Sequence, residues 1–325
     1  MTEAKTHSGA HGRSRFGRWA KTLSSTLVLA FLGTQGIAAL PSSIATNHLY
    51  YESGSGLSAS NPFNYALFTF GDFGSGDGEG QHSLGPIAVG GNATFGNFSF
   101  AGSEGSAGAV GLPQLVVKGQ LNFKNIYTLS GNLNVSSIGN VHGNQYNFCN
   151  NNYGVVEGIS IDFSGKKDSM ISKANKVKSF ATSKANAVVK TKGSGWVEME
   201  ASTPAGFNAE KDVLVLNLTS RVDVLYVPEG VNVAINMNNA ATSSFPQLRY
   251  GNFSSYSVPN DSSDNRDRKV LWVAADATDL RIEDNFSLHG GLLAPKAHVT
   301  KMGGNSNGPI ICSSFFGTSE FHSIP

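Results

Sequence analysis

Two short apolar runs stand near the end of the chain, Leu292-Leu293-Ala294 and Pro309-Ile310-Ile311-Cys312. Each follows a glycine, and the step from Gly291 to Gly308 suggests a repeat of about 17 residues. Between them lies Gly303-Gly304-Asn305-Ser306-Asn307, too rich in glycine and asparagine to be helical. Earlier segments share an apolar-x-Gly-Asn/Gln-apolar shape: Val89-Gly90-Gly91-Asn92-Ala93, Val117-Lys118-Gly119-Gln120-Leu121 and Leu129-Ser130-Gly131-Asn132-Leu133. Their glycines, Gly91, Gly119 and Gly131, are unevenly spaced, so the repeat is imperfect. Glycine admits the backbone of a sharp corner, and asparagine can bond the main chain there. Short strands at intervals of about 17–28 residues with such corners predict a mainly β chain wound into a β-helix, or solenoid. A β-sandwich is the alternative, because irregular spacing also suits Greek-key strands.

One segment breaks this pattern. From Lys166 to Lys192 the residues Met170, Ile171, Ala174, Val177, Phe180, Ala181, Ala185 and Val188 recur at three-to-four spacing. That predicts one long amphipathic helix of about seven turns lying along the solenoid, ended by Gly193 and Gly195. Eight lysines cover its other side. They are either its solvated face or an attraction for an anionic polymer or membrane surface. Afterwards strands resume. Val231, Val233, Ile235 and Met237 alternate with Asn232, Ala234, Asn236 and Asn238, which predicts an inward apolar row and a flat polar outer one.

The first 39 residues read as a signal peptide. Lys5, Arg13, Arg15, Arg18 and Lys21 precede an apolar stretch from Leu23 to Leu32, and Gly36-Ile37-Ala38-Ala39 offers small residues for cleavage. An uncleaved signal-anchor is the other reading. Residues 40–62 read as a polar linker, and 63–325 as the domain. No span is expected in the mature chain, and no hydrophobic tail suggests a wall-sorting or GPI signal. A net charge of +1 with 14% charged residues gives no reason to expect nucleic acid.

Several pieces stand in an order that resembles the choice-of-anchor A domain, an adhesive domain of secreted and surface proteins. They are Phe63-Asn64-Tyr65-Ala66-Leu67-Phe68-Thr69-Phe70-Gly71-Asp72-Phe73, then Asp77-Gly78-Glu79-Gly80 running to Ile87-Ala88-Val89-Gly90-Gly91-Asn92. The lysine-rich helix follows, and last come Gly291-Leu292-Leu293-Ala294-Pro295 and Ser319-Glu320-Phe321-His322. The resemblance spans residues 63–325. It implies a β-helix-like extracellular domain used for adhesion or coating, ordinarily joined to a C-terminal anchor that is not seen before Pro325. Attachment would then be non-covalent or through the N-terminus.

The chemistry-bearing residues are sparse. Asp72, Asp77 and Glu79 could offer oxygens to Ca²⁺, but they lack EF-hand spacing and read better as capping groups. Asp261, Asp264 and Asp267, interleaved with Arg266, Arg268 and Lys269, read as a solvated loop. Glu320 and His322 share a strand face and could act as an acid/base pair, yet no nucleophile elbow accompanies them, so a hydrogen-bonded cap is expected. His289 and His298 lack the spacing of a shared metal site. In an oxidising compartment Cys149 and Cys312 could form one disulfide; buried free thiols are the equal alternative. Seven Asn-x-Ser/Thr sequons, at Asn92, Asn97, Asn134, Asn217, Asn252, Asn260 and Asn285, are glycan acceptors if the host glycosylates. Together these features predict a secreted, non-enzymatic adhesive or structural protein of the cell surface or wall, without cofactor. Its partner would be an extracellular polymer or matrix protein. Ice binding and a β-helix polysaccharide lyase or hydrolase are the competing readings; the first lacks a regular Thr-x-Thr ladder, the second a carboxylate cluster.

Overall fold

The computed structural model describes residues 58–322 apart from 77–80, 101–111, 130, 149–152, 194, 239–243 and 261–263. The predicted signal peptide therefore lies outside the described residues, as do Asp77, Glu79 and Cys149. Composition assigns Asn61 and Pro62 to the linker, but both are buried, and the Asn61 side chain caps the turn Pro62–Asn64.

The chain first winds through β1 (Leu67–Thr69), β2 (Phe73–Gly74) and β3 (Gln81–Ser83), then β4 (Ile87–Val89) and the long β5 (Ala93–Phe100). Further turns hold β6 (Leu115–Val117), β7 (Leu121–Leu129), β8 (Leu133–Val135), β9 (Val141–Phe148) and β10 (Val155–Glu157). Helix α1 (Phe163–Lys184) follows, then β11 (Val188–Lys192) and β12 (Glu198–Ser202). The second series comprises β13 (Val213–Leu218), β14 (Val224–Val227), β15 (Asn232–Met237), β16 (Gln247–Asn252), β17 (Ser255–Ser257), β18 (Val270–Val273), β19 (Asp279–Ile282) and β20 (Leu288–His289). Its last turns are β21 (Gly291–Lys301), β22 (Asn305–Asn307), β23 (Ile310–Gly317) and β24 (Glu320–His322).

Register shows a three-walled solenoid. One wall stacks β13, β15, β18, the front half of β21, the front half of β23, β1, β4, β6, β8 and β10. The second stacks β19, the back halves of β21 and β23, β2 and the front halves of β5, β7 and β9. The third stacks β20, β22, β24, β3 and the back halves of β5, β7 and β9. Every pairing in these walls is parallel, which a Greek-key sandwich cannot give. A second sheet of five strands, β11-β12-β14-β16-β17, is parallel at its centre and antiparallel at both edges.

The order of stacking is not the order of the chain. Strand β1 pairs with β4 on one side and with β23, near the chain's end, on the other. The chain therefore starts in the middle of the solenoid, winds to one end, returns along α1, and winds back from the far end to meet its first turn. A helix of 22 residues is about 33 Å long, close to seven strand spacings of about 4.8 Å. It covers most of the nine spacings from β10 back to β13, and the linking segments before and after it span the rest.

Helix α1 packs against β13, β15, β18 and β21 in the first wall, and its Phe163 ring lies 5.1 Å from that of Phe68 on β1. Met170, Ala174, Val177, Phe180 and Ala181 are buried with Phe68, Ala88, Leu271, Leu293 and Ile311. From β13 to β6 the first wall is thus buried on both sides, which explains the unbroken apolar runs at Leu292–Ala294 and Ile310–Cys312, whereas β10 at its end is largely exposed. The inner side of all three walls forms the larger core.

Three expectations need correction. The helix ends at Lys184, not near Lys192; Val188–Lys192 is the exposed edge strand β11. Lysine stems and alanines fit either helical or strand spacing there, and pairing with β12 decides it. The Asn row of β15 is not a solvent face, because α1 covers Ala234 while Asn236 is buried and donates to Asn217 Oδ1 at 2.7 Å. The repeat runs from Gly290 to Gly308 rather than from Gly291, since Leu292 pairs with Ile310 and Gly308 sits on Gly290. A Cβ on Gly308, where φ is 141°, would stand 2.6 Å from the Gly290 carbonyl carbon. Gly91 and Gly119 stack likewise, but Gly131 belongs to another corner, against Gln114.

Leu293 tests the double burial. Leu293→Ala should lower unfolding stability in urea by about 2–5 kcal/mol, the cost of a cavity under a helix. A solvent-facing leucine would cost a few tenths.

Candidate functional site

With the first wall covered by α1, the second keeps an uncovered outer side. Its outward residues in register are Arg281, Thr300, Phe316, Gly74, Thr94, Asn122 and His142. Seven rungs at about 4.8 Å make a row about 29 Å long. Inward neighbours such as Val299, Phe315, Phe73, Ala93 and Leu121 are buried, and this alternation holds the row rigid. Phe316 is 44% exposed, an unusual cost for a large apolar ring. Its ring lies over Gly74, where a Cβ would stand 3.0 Å from ring carbon Cδ2. Beside it His298 Nδ1 lies 2.7 Å from Ser314 Oγ. The result is a flat strip with one exposed ring and flanking polar groups.

The corner beside this strip explains the Gly-Asn signature. Asp72 Oδ1 accepts from Asn92 N–H at 2.7 Å, and Asn92 Oδ1 accepts from Gln120 N–H at 2.9 Å. Each corner side chain thus bonds the backbone of the next turn. Asp72 is used in this way as a cap, as composition suggests. Of the other sequons, Asn252, Asn260 and Asn285 are exposed, whereas Asn97, Asn134 and Asn217 are half-buried. Cys312 is a free thiol buried in β23, and burial pushes its pKa well up.

Several lysines of the segment have acidic or aromatic partners. Lys178 pairs with Asp276 at 2.5 Å, Lys173 lies 4.4 Å from the centre of the Phe63 ring, and on β11 Lys190 and Lys192 pair with Glu200 and Glu198.

The arginine-rich loop is not a solvated one either. Asp264 caps the turn Asn265–Lys269 and pairs with Arg266, and Asp267 is completely buried. Asp261 lies outside the described residues. Tyr250 donates to Asp267 Oδ1, and His289 Nδ1 lies 2.8 Å from Asp267 Oδ2. Asn307 stacks on His289, and His322 on Asn307, with His322 Nδ1 at 2.8 Å from Asn307 Oδ1. This buried polar ladder is invisible in sequence, because its members sit far apart in the chain on different turns. A repeat phased on Gly290 and Gly308 is the one signal that aligns His289 with Asn307.

Lys301 is also buried, its ammonium donating to the Gly303 carbonyl. Burial pulls its pKa down to about 8, against a smaller opposing pull from Glu320. The folded state thus holds this proton less tightly than the unfolded chain does. Between about pH 8 and the unfolded value of about 10.4 the unfolded chain binds the extra proton, so stability climbs with pH. Urea titrations should show a climb of about 3 kcal/mol across that window, absent in Lys301→Met. Equal pH profiles for the two proteins would contradict this.

Residues 60–323 match the family described as "Putative Ice-binding-like adhesive domain". The chain belongs to this adhesive-domain family. The match covers most of the chain and agrees with the sequence resemblance at the level of an adhesive domain. A search of curated proteins returned no match. Among solved structures, an ice-binding protein from the Antarctic ascomycete Antarctomyces psychrotrophicus is similar at 8% identity, covering 83% of this chain and 100% of that one. Its TM-score is 0.25, too low to carry an argument. Among the described residues, no helix is long and apolar enough to cross a membrane.

Proposed function

We propose that the protein is a secreted, non-enzymatic adhesive domain that holds an extracellular polysaccharide or matrix polymer along the second wall of its solenoid. The observation that carries this reading is the row from Arg281 to His142, uncovered and rigid, with the Phe316 ring lying across Gly74. A flat ring among hydroxyl, amide and imidazole groups suits stacking against a sugar face with hydrogen bonds at its rim. Membership of an adhesive-domain family supports an external ligand. The choice-of-anchor A resemblance is the finer form of the same reading, and would put the protein at a cell surface or wall.

The protein should bind saturably to at least one of insoluble chitin, cellulose, β-glucan or a matrix-protein coat. Phe316→Ala should weaken that binding about tenfold, the loss of about 1.4 kcal/mol, while leaving the melting temperature in place. Silence across the panel would overturn the reading.

Ice binding is the second reading, which the family's description favours. An ice lattice repeats regularly and calls for a matching face, whereas this row mixes Arg281, Phe316, Asn122 and His142. Freezing-point depression by the purified protein would make it the first reading. The lyase or hydrolase reading has weaker support, since Asp72 on the uncovered side is engaged by the Asn92 backbone.

A further inference from the structure

His82, Glu320 and His322 come from opposite ends of the described chain and meet on the third wall. Phe321 pairs with Ser83 across β24 and β3, so Glu320 stands opposite His82, and His322 lies two positions along the same strand. Glu320 Oε1 lies 3.6 Å from His82 Nδ1, and Glu320 Oε2 lies 3.6 Å from His322 Nε2. One ligand atom from each residue can be chosen so that all three lie within 4.8 Å of one another. Atoms around a tetrahedral ion with bonds of about 2.0–2.1 Å stand about 3.3 Å apart, so a small side-chain adjustment closes the set.

We propose that these three side chains form a zinc-type divalent metal site that clamps the first turn of the solenoid to the last. Two imidazoles and one carboxylate are a donor set that suits zinc, with a fourth position left for water. The surroundings orient the ligands. His322 Nδ1 donates to Asn307 Oδ1, which leaves the Nε2 lone pair facing Glu320. The two imidazole rings are stacked, with centroids 5.9 Å apart. His82 and Glu320 are partly open to solvent, which gives an ion a way in. Lys301 is the nearby charge that works against a cation here, since Glu320 pulls its pKa upward.

The site's place in the fold gives it consequence. Across β3 and β24 a single residue pair carries the register, whereas the neighbouring pairs β3–β5 and β22–β24 each carry three. A metal there would tie together the two series of turns where the third wall is least bonded.

The test uses the full chain, stripped with a chelator and titrated with zinc chloride. Calorimetry should show one saturable ion per chain, and the melting temperature should rise with zinc. His82→Gln and Glu320→Gln should each weaken binding at least a hundredfold and abolish the thermal shift, while melting like the wild type in chelator. His82→Cys, which offers zinc another ligand, should recover binding. Cobalt(II) should give a tetrahedral absorption band in the wild type and lose it in His82→Gln. No saturable zinc binding by the wild type would overturn the proposal. Binding that both glutamine variants leave unchanged would also overturn it, because other histidines would then hold the ion.

Discussion

The seating of β1 between β4 and β23 is the constraint on which the rest of the structure depends. A solenoid wound continuously from one end would leave its first and last strands as open edges. Here those strands bond to each other, and the edges fall instead at β9 and β10 and at the far end of the second series. Such a closure requires a connection that travels back along the axis. Helix α1 supplies most of it, and in doing so covers the greater part of the first wall.

That cover sets the character of each wall. Strands beneath α1 are apolar on both sides, so they read as solid runs such as Val270–Val273. Strands of the second wall keep the alternation of a half-buried sheet, as in Asp279–Ile282. The proposed polymer face follows from the difference. The part of a wall under a helix is closed to a large ligand, and the second wall, which has none, presents its rungs at a spacing fixed by the backbone ladder.

The closure also gathers polar groups that sequence distance keeps apart. Stacked turns place like positions on top of one another, so His289, Asn307 and His322 become neighbours. Buried polar groups are tolerable only when bonded, and the ladder from Tyr250 through Asp267 to His322 meets that condition along the solenoid axis. At the junction of the two series the ladder ends beside His82 and Glu320, where solvent begins.

Much of this is legible in the residues. Glycine–asparagine corners and short apolar runs point to the solenoid, because each corner needs a small residue and a side chain that bonds the next turn. The three-to-four spacing from Met170 to Ala181 marks the helix and its buried face. The phase of the repeat, the end of the helix and the covered side of β15 depart from what the pattern suggests, since a pattern shows that a side is apolar or polar and not what lies over it. The exposed Phe316, the buried Asp267 and the meeting of His82 with Glu320 have no local signal at all. Sequence by itself determined a mainly β, cornered, helix-flanked chain. Tertiary structure alone decided that the first turn lies on the last, because that contact comes from hydrogen bonds between strands near the two ends of the described chain, which no local preference encodes.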